Sequence, residues 1–117
     1  MNRILLILII ALIGTLLGCS KQPDKGDYII GKEYESNIPK IYVVHHITDK
    51  EARTKSLHDF LVNDDENDVV LYHVNDIKLY NDLDIGERVT VKPGGYTMLS
   101  YPPQAVAEEI IRYSKRN

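Results

Sequence analysis

The sequence predicts a mainly β fold of about five to six strands with one α-helix, carried behind a short apolar leader. Three observations predict it. From Asp27 onward, apolar residues tend to recur at every second position, the spacing that sets one face of a strand against a core. Thr48 and Glu51, spaced as a capping box, interrupt that alternation and open a helical stretch. Breakers stand between the runs at Pro39, Pro93-Gly94-Gly95 and Pro102-Pro103, where a chain of strands needs turns.

The leader comes first. Met1-Asn2-Arg3 is a short basic start, residues 4–17 are apolar apart from Thr15, and Leu16-Leu17-Gly18-Cys19 closes the run. As a helix this run would reach about 21 Å, short of the roughly 30 Å hydrocarbon core. The layout is that of a cleavable signal rather than a spanning anchor. Gly18 before the cysteine and Leu16 three residues before it resemble the lipobox of bacterial lipoproteins. That resemblance implies diacylglycerol on the Cys19 thiol, cleavage just ahead of it, and Cys19 as the first mature residue. A thiolate is nucleophilic enough to form the thioether, and two or more acyl chains anchor a protein stably where one does not. The other reading is an ordinary secretory signal followed by a free thiol.

Removing the eighteen leader residues from 117 leaves 99, enough for one domain, and with Arg3 gone the formal charge falls from −3 to −4. A chain of that size buries roughly 60–65% of its extended surface and stands without disulfides; Cys19 is the one cysteine. An acidic domain with scattered basic residues is a poor partner for phosphate backbones, so nucleic acid is excluded as a partner class. The organisation is a signal peptide at 1–18, a lipid-anchored tether at 19–26 that is polar with Pro23 and Gly26, and a β domain at 27–117.

Within the domain, 28–35 and 40–47 are predicted strands of a hairpin whose loop lies around 36–39. A helix follows from Thr48 to about Asn63, with Ala52, Leu57, Phe60 and Leu61 on its apolar stripe, and then an acidic loop at 64–68. Residues 69–74 form a third strand, and 77–80 extend it or make a short irregular piece. Residues 83–91 alternate again with Gly86 at their start, Pro93-Gly94-Gly95 reads as a turn, and 96–100 pair back across it. In the last segment, 105–113, Ala107, Glu108 and Glu109 favour helix while Ile110, Ile111 and Tyr113 favour strand; the strand is preferred.

Residues 84–91 (DIGERVTV), 100–105 (SYPPQA) and 107–111, together with the strand-to-helix passage at 48–61, resemble the YobA-like small lipoproteins, a family of unknown function from Gram-positive bacteria. The resemblance runs over about 27–113. It implies a compact β-barrel of the oligonucleotide/oligosaccharide-binding (OB) type at the outer face of the cell membrane, with no activity attached. One feature departs from that pattern: an OB barrel carries its helix between the third and fourth strands, whereas the helix at 48–63 falls between the second and third.

Tyr96, Tyr101, Pro102, Pro103 and Gln104 are the candidate binding residues. A tyrosine beside stiff prolines offers a flat face to a sugar or peptide at little entropic cost. The same residues can instead close the open end of a barrel, with proline ending the ladder. His45 and His46, adjacent in a strand, point to opposite faces, and with His58 and His73 they lack the spacing of a zinc site. Asp64, Glu66 and Asp68 alternate but lack the Gly and Glu that an EF-hand loop needs. No metal or cofactor is expected. With no nucleophile elbow and no Gly-rich phosphate loop, no enzyme is expected either. The leading expectation is a non-enzymatic envelope lipoprotein that binds another envelope component; the second is a calcium or zinc sensor using the acidic loop or the histidines.

Overall fold

The computed structural model describes residues 24–63 and 68–113, apart from the side chain of Tyr96. The leader 1–18, Cys19 and most of the tether, and Asp64 and Glu66 of the acidic loop, lie outside the described residues. The elements run β1 (Lys25–Glu35), β2 (Ile38–Thr48), α1 (Asp49–Thr54), α2 (Leu57–Val62), β3 (Asp68–Val74), α3 (Ile77–Asp82), β4 (Arg88–Met98) and β5 (Gln104–Arg112). The strands close into a barrel in the order β1-β2-β3-β5-β4, antiparallel throughout except for the parallel pair β3–β5. This is the small OB-type barrel that was expected. β1 begins two residues inside the predicted tether, with Lys25 opposite Thr48.

Period-two alternation sorts the side chains into two cores. Ile29, Ile41, Val43, Tyr72, Val74, Val89, Val91 and Ala105 fill the barrel, and Tyr80 and Leu83 enter it from α3 and the residue after it. The outward rows are just as apolar. Tyr28, Ile30, Val44 and Val69 are buried on the outside of β1, β2 and β3 beneath Ala52 of α1 and Phe60 of α2. Gly31 permits the approach, since a Cβ there would stand 3.2 Å from the Leu57 side chain and 3.1 Å from that of Tyr42.

Local chemistry explains where the elements depart from expectation. The single helix expected over 48–63 is two, because Ser56 and Asp59 form a second capping box that restarts the chain after Lys55. Residues 77–80 are helical, since the Asp76 side chain accepts hydrogen bonds from the backbone N–H groups of Lys78 and Leu79. That helix, α3, replaces the expected strand extension or irregular piece and occupies the place between the third and fourth strands where an OB barrel carries its helix. Pro93-Gly94-Gly95 is not a turn and 96–100 do not pair back across it. β4 runs from Pro93 on to Met98 beside β5, with register shifts at Lys92/Pro93 and between Gly94 and Thr97, and 99–100 lie in the loop after it. Proline without an N–H fits such a bulge, and Gly95 takes φ +71° there. The expected hairpin is present, turning at Ser36 and Asn37 with φ of 54° and 64°, as a two-residue I′ turn requires. The last segment is a strand, as preferred.

Register also fixes which features share an end of the barrel. β4 is antiparallel to β1 with Val89 opposite Asp27, so residues 92–98 continue past Lys25, on the side where β1 begins and the expected tether would join it. The β4–β5 loop, 99–103, therefore lies at the tether end. The α1–α2 segment leaves β2 at Thr48, opposite Lys25, and starts at the same end. The β1–β2 turn and the start of α3 stand at the other end.

Candidate functional site

Of the five residues singled out from the sequence, four fasten the β4–β5 loop. The Pro103 carbonyl accepts a hydrogen bond from the Leu71 N–H at 2.9 Å, Gln104 Oε1 lies 2.9 Å from His73 Nε2, and Pro102 offers its carbonyl to the Ser100 hydroxyl at 2.9 Å. The Tyr101–Pro102 peptide is cis. Tyr101 donates its hydroxyl to the Leu61 carbonyl of α2 at 2.5 Å, yet leaves 58% of its surface in water. The Tyr96 side chain lies outside the described residues.

The sequence reading missed the neighbours that make this loop unusual. Leu99 is 99% exposed, Met98 44%, and Val62, next to the Leu61 that Tyr101 grips, 58%. Apolar side chains scattered singly need no explanation, but here three belong to one loop and its flank, with a fourth on the helix it is pinned to. Pro102 and Pro103 marked the break in the ladder, but Leu99 was expected in a strand at 96–100, and its exposure follows from its place in the loop after β4.

The first strands, whose outer face together with the neighbouring loops is the usual ligand surface of an OB barrel, do not offer it here. α1 and α2 cover that face with an apolar core of their own.

Inside the barrel mouth at the tether end, Asp27, His45 and Tyr72 form a hydrogen-bonded chain. Asp27 Oδ2 lies 3.0 Å from His45 Nδ1, and His45 Nε2 lies 3.0 Å from the Tyr72 hydroxyl. The other Asp27 oxygen accepts the His46 N–H at 3.0 Å, which holds His46 at φ +61°. Burial, and then the carboxylates of Asp68 and Asp27, push the Tyr72 hydroxyl up to about 12. A phenol so far from ionising is a structural donor or acceptor at neutral pH, not a nucleophile.

A second polar knot lies where β5 ends. Glu87, 8% exposed, is gripped by the Arg112 guanidinium through both oxygens, and Arg112 also holds the Asp82 carboxylate and backbone carbonyl. Hydrogen bonds to Glu87 and Asp82 push the Arg112 guanidinium up from its ordinary value. Beside this knot, Tyr28, Arg53, Ile85, Arg88 and Tyr113 line a cleft of about 440 Å³. Its cations are engaged: Arg88 pairs with Asp24 at 2.8 Å and lies 5.0 Å from the Tyr113 ring, and Arg53 pairs with Asp49 at 3.0 Å.

Among the described residues no three His, Cys, Asp or Glu side chains come together as a metal site, and no helix is long and apolar enough to cross a membrane. Residues 28–111 match the model of a family described as a protein of unknown function, DUF3221. No curated protein and no solved structure matches the chain.

Proposed function

The chain belongs to the DUF3221 family, and from that premise we propose that it is a non-enzymatic interaction module, held at the outer face of the cytoplasmic membrane by lipid on Cys19. In this reading it meets another component of the cell envelope through the tether end of its barrel. The narrower likeness to YobA-like lipoproteins belongs to the same proposal. The observation that carries it is the apolar β4–β5 loop, where Leu99 is 99% exposed beside Met98 and Tyr101. A fully solvated leucine at a loop tip adds nothing to the fold, and it lies on the side of the barrel facing the anchor.

Two further features support a binding rather than a chemical role. The outer face of the first strands is closed by α1 and α2, which removes that face as a contact surface. Asp27, His45, Tyr72, Glu87 and Arg112 are each engaged in cross-strand or strand-to-loop contacts. A photo-crosslinking residue at Leu99, in protein expressed in its native membrane, should give adducts that the same residue at Ile38 on the opposite end does not. Equal labelling from both positions would remove the tether end as the binding surface.

A further inference from the structure

We propose that the component met by the β4–β5 loop is the lipid bilayer itself: Met98, Leu99 and Tyr101, with Val62 of α2 beside them, form a second membrane contact that seats the barrel tether end down. This rests on the lipid-anchor reading of Cys19. Three observations point to lipid.

The first is reach. Asp24 is paired with Arg88 at the barrel wall, and four residues separate it from Cys19. The five extended Cα-to-Cα steps from Asp24 to Cys19 span at most about 18 Å. An acylated Cys19 therefore holds the tether end close to the headgroups. β4 continues past Lys25 toward that side, which carries the loop toward the bilayer rather than away from it.

The second is the backbone. Exposed peptide groups oppose entry into a bilayer because nothing there hydrogen-bonds them. Within 99–103, Pro102 and Pro103 have no N–H, the Ser100 N–H bonds the Met98 carbonyl at 3.1 Å, and the Ser100 hydroxyl bonds the Pro102 carbonyl. The tip thus carries few unmet donors into the interface.

The third is the side-chain chemistry. Leu99 is the most exposed of the group, and Tyr101, itself more than half exposed, holds its hydroxyl on the Leu61 carbonyl. A solvated leucine beside an amphipathic ring suits the boundary between acyl chains and headgroups. The attraction is apolar rather than electrostatic. The sequence that follows Val62 is the acidic run to Asp68, so a zwitterionic surface should suffice.

The chain has no tryptophan, so a single substitution supplies a unique reporter. Full-length lipidated Leu99→Trp protein in phosphatidylcholine vesicles should shift its emission to the blue and lose most of it when the acyl chains are brominated. Met98→Trp provides a second reporter in the same loop, and Ile38→Trp and Ile77→Trp, at the opposite end, should stay unquenched. A vesicle-bound chain whose Leu99→Trp emission is red and unquenched overturns this inference while leaving the anchor intact. Emission that is blue but unquenched shows a protein surface over the loop and equally overturns it. A chain that does not sediment with the vesicles overturns the anchor reading, and this inference with it.

Discussion

Tyr72 shows how one hydroxyl can be indispensable without being reactive. It sits among apolar side chains of the barrel, and its hydrogen-bonded neighbour His45 bridges it to Asp27 and so ties β3 through β2 to β1. Its folded pKa of about 12 exceeds the unfolded value of 10.0. The unfolded chain therefore ionises first, and the stability this group contributes is complete below about pH 10 and lost as pH rises toward 12. Tyr72→Phe should lower stability at pH 7 by about 1–2 kcal/mol, by stranding the histidine nitrogen. It should also flatten the alkaline loss, read as urea midpoints from pH 8 to 12. At Arg112 the expectation is larger. Truncation to alanine leaves the Glu87 carboxylate buried without its guanidinium, and should cost about 3 kcal/mol in equilibrium unfolding. Replacing Glu87 and Arg112 together should cost less than the sum of the single changes.

The short helices depend on their first residues. A six-residue helix cannot hold itself in water, so α1 and α2 form because each has a reciprocal capping box and an apolar side chain, Ala52 or Phe60, to bury. Hydrogen bonding to the Thr48 backbone N–H, and then to Lys55 and the Thr48 hydroxyl, keeps the Glu51 carboxyl below its ordinary 4.5. The sign follows: a depressed folded pKa gives stability that is present above about pH 4.5 and lost as pH falls through the folded value. Thr48→Ala should cost about 1 kcal/mol, and Glu51→Gln should lose less stability on acidification than the parent chain, measured by thermal melts from pH 6 to 3. Much of this level was legible in the sequence. The β1–β2 hairpin, β3, β5 and the Thr48 cap followed from period, propensity and box spacing. The Ser56 and Asp76 caps were equally local and were overlooked, because an apolar stripe running from Ala52 to Leu61 reads as one helix when the break between two turns exposes no apolar residue. Pro93-Gly94-Gly95 was misread for a different reason. A bulge and a turn use the same residues, and only the partner strand, β5, decides between them.

At the scale of the whole molecule, the ring closure was not legible in strand periods. It depends on β3 and β5 pairing in parallel and on β1 meeting β4, contacts between residues far apart in the chain. The barrel was expected because several short motifs resembled a lipoprotein family, and the helix that seemed misplaced is a helical pair, α1 and α2, added over the outer face. That addition has a functional consequence. With β1, β2 and β3 covered, that face is closed to a ligand, and the end carrying Met98, Leu99 and Tyr101 is the one at which β1 begins. The exposed tip should be separable from stability: Leu99→Asp should leave the unfolding free energy within about 0.5 kcal/mol of the parent, as substitutions at solvated positions do.

Anchoring through Cys19 is tested most directly by where the chain is cut and what its cysteine carries. Mass spectrometry of the protein extracted from its native membrane should find an N-terminal peptide that begins at Cys19 and bears a diacylglyceryl thioether. A peptide that retains residues 1–18, or one that begins at Cys19 with a free thiol, would contradict it.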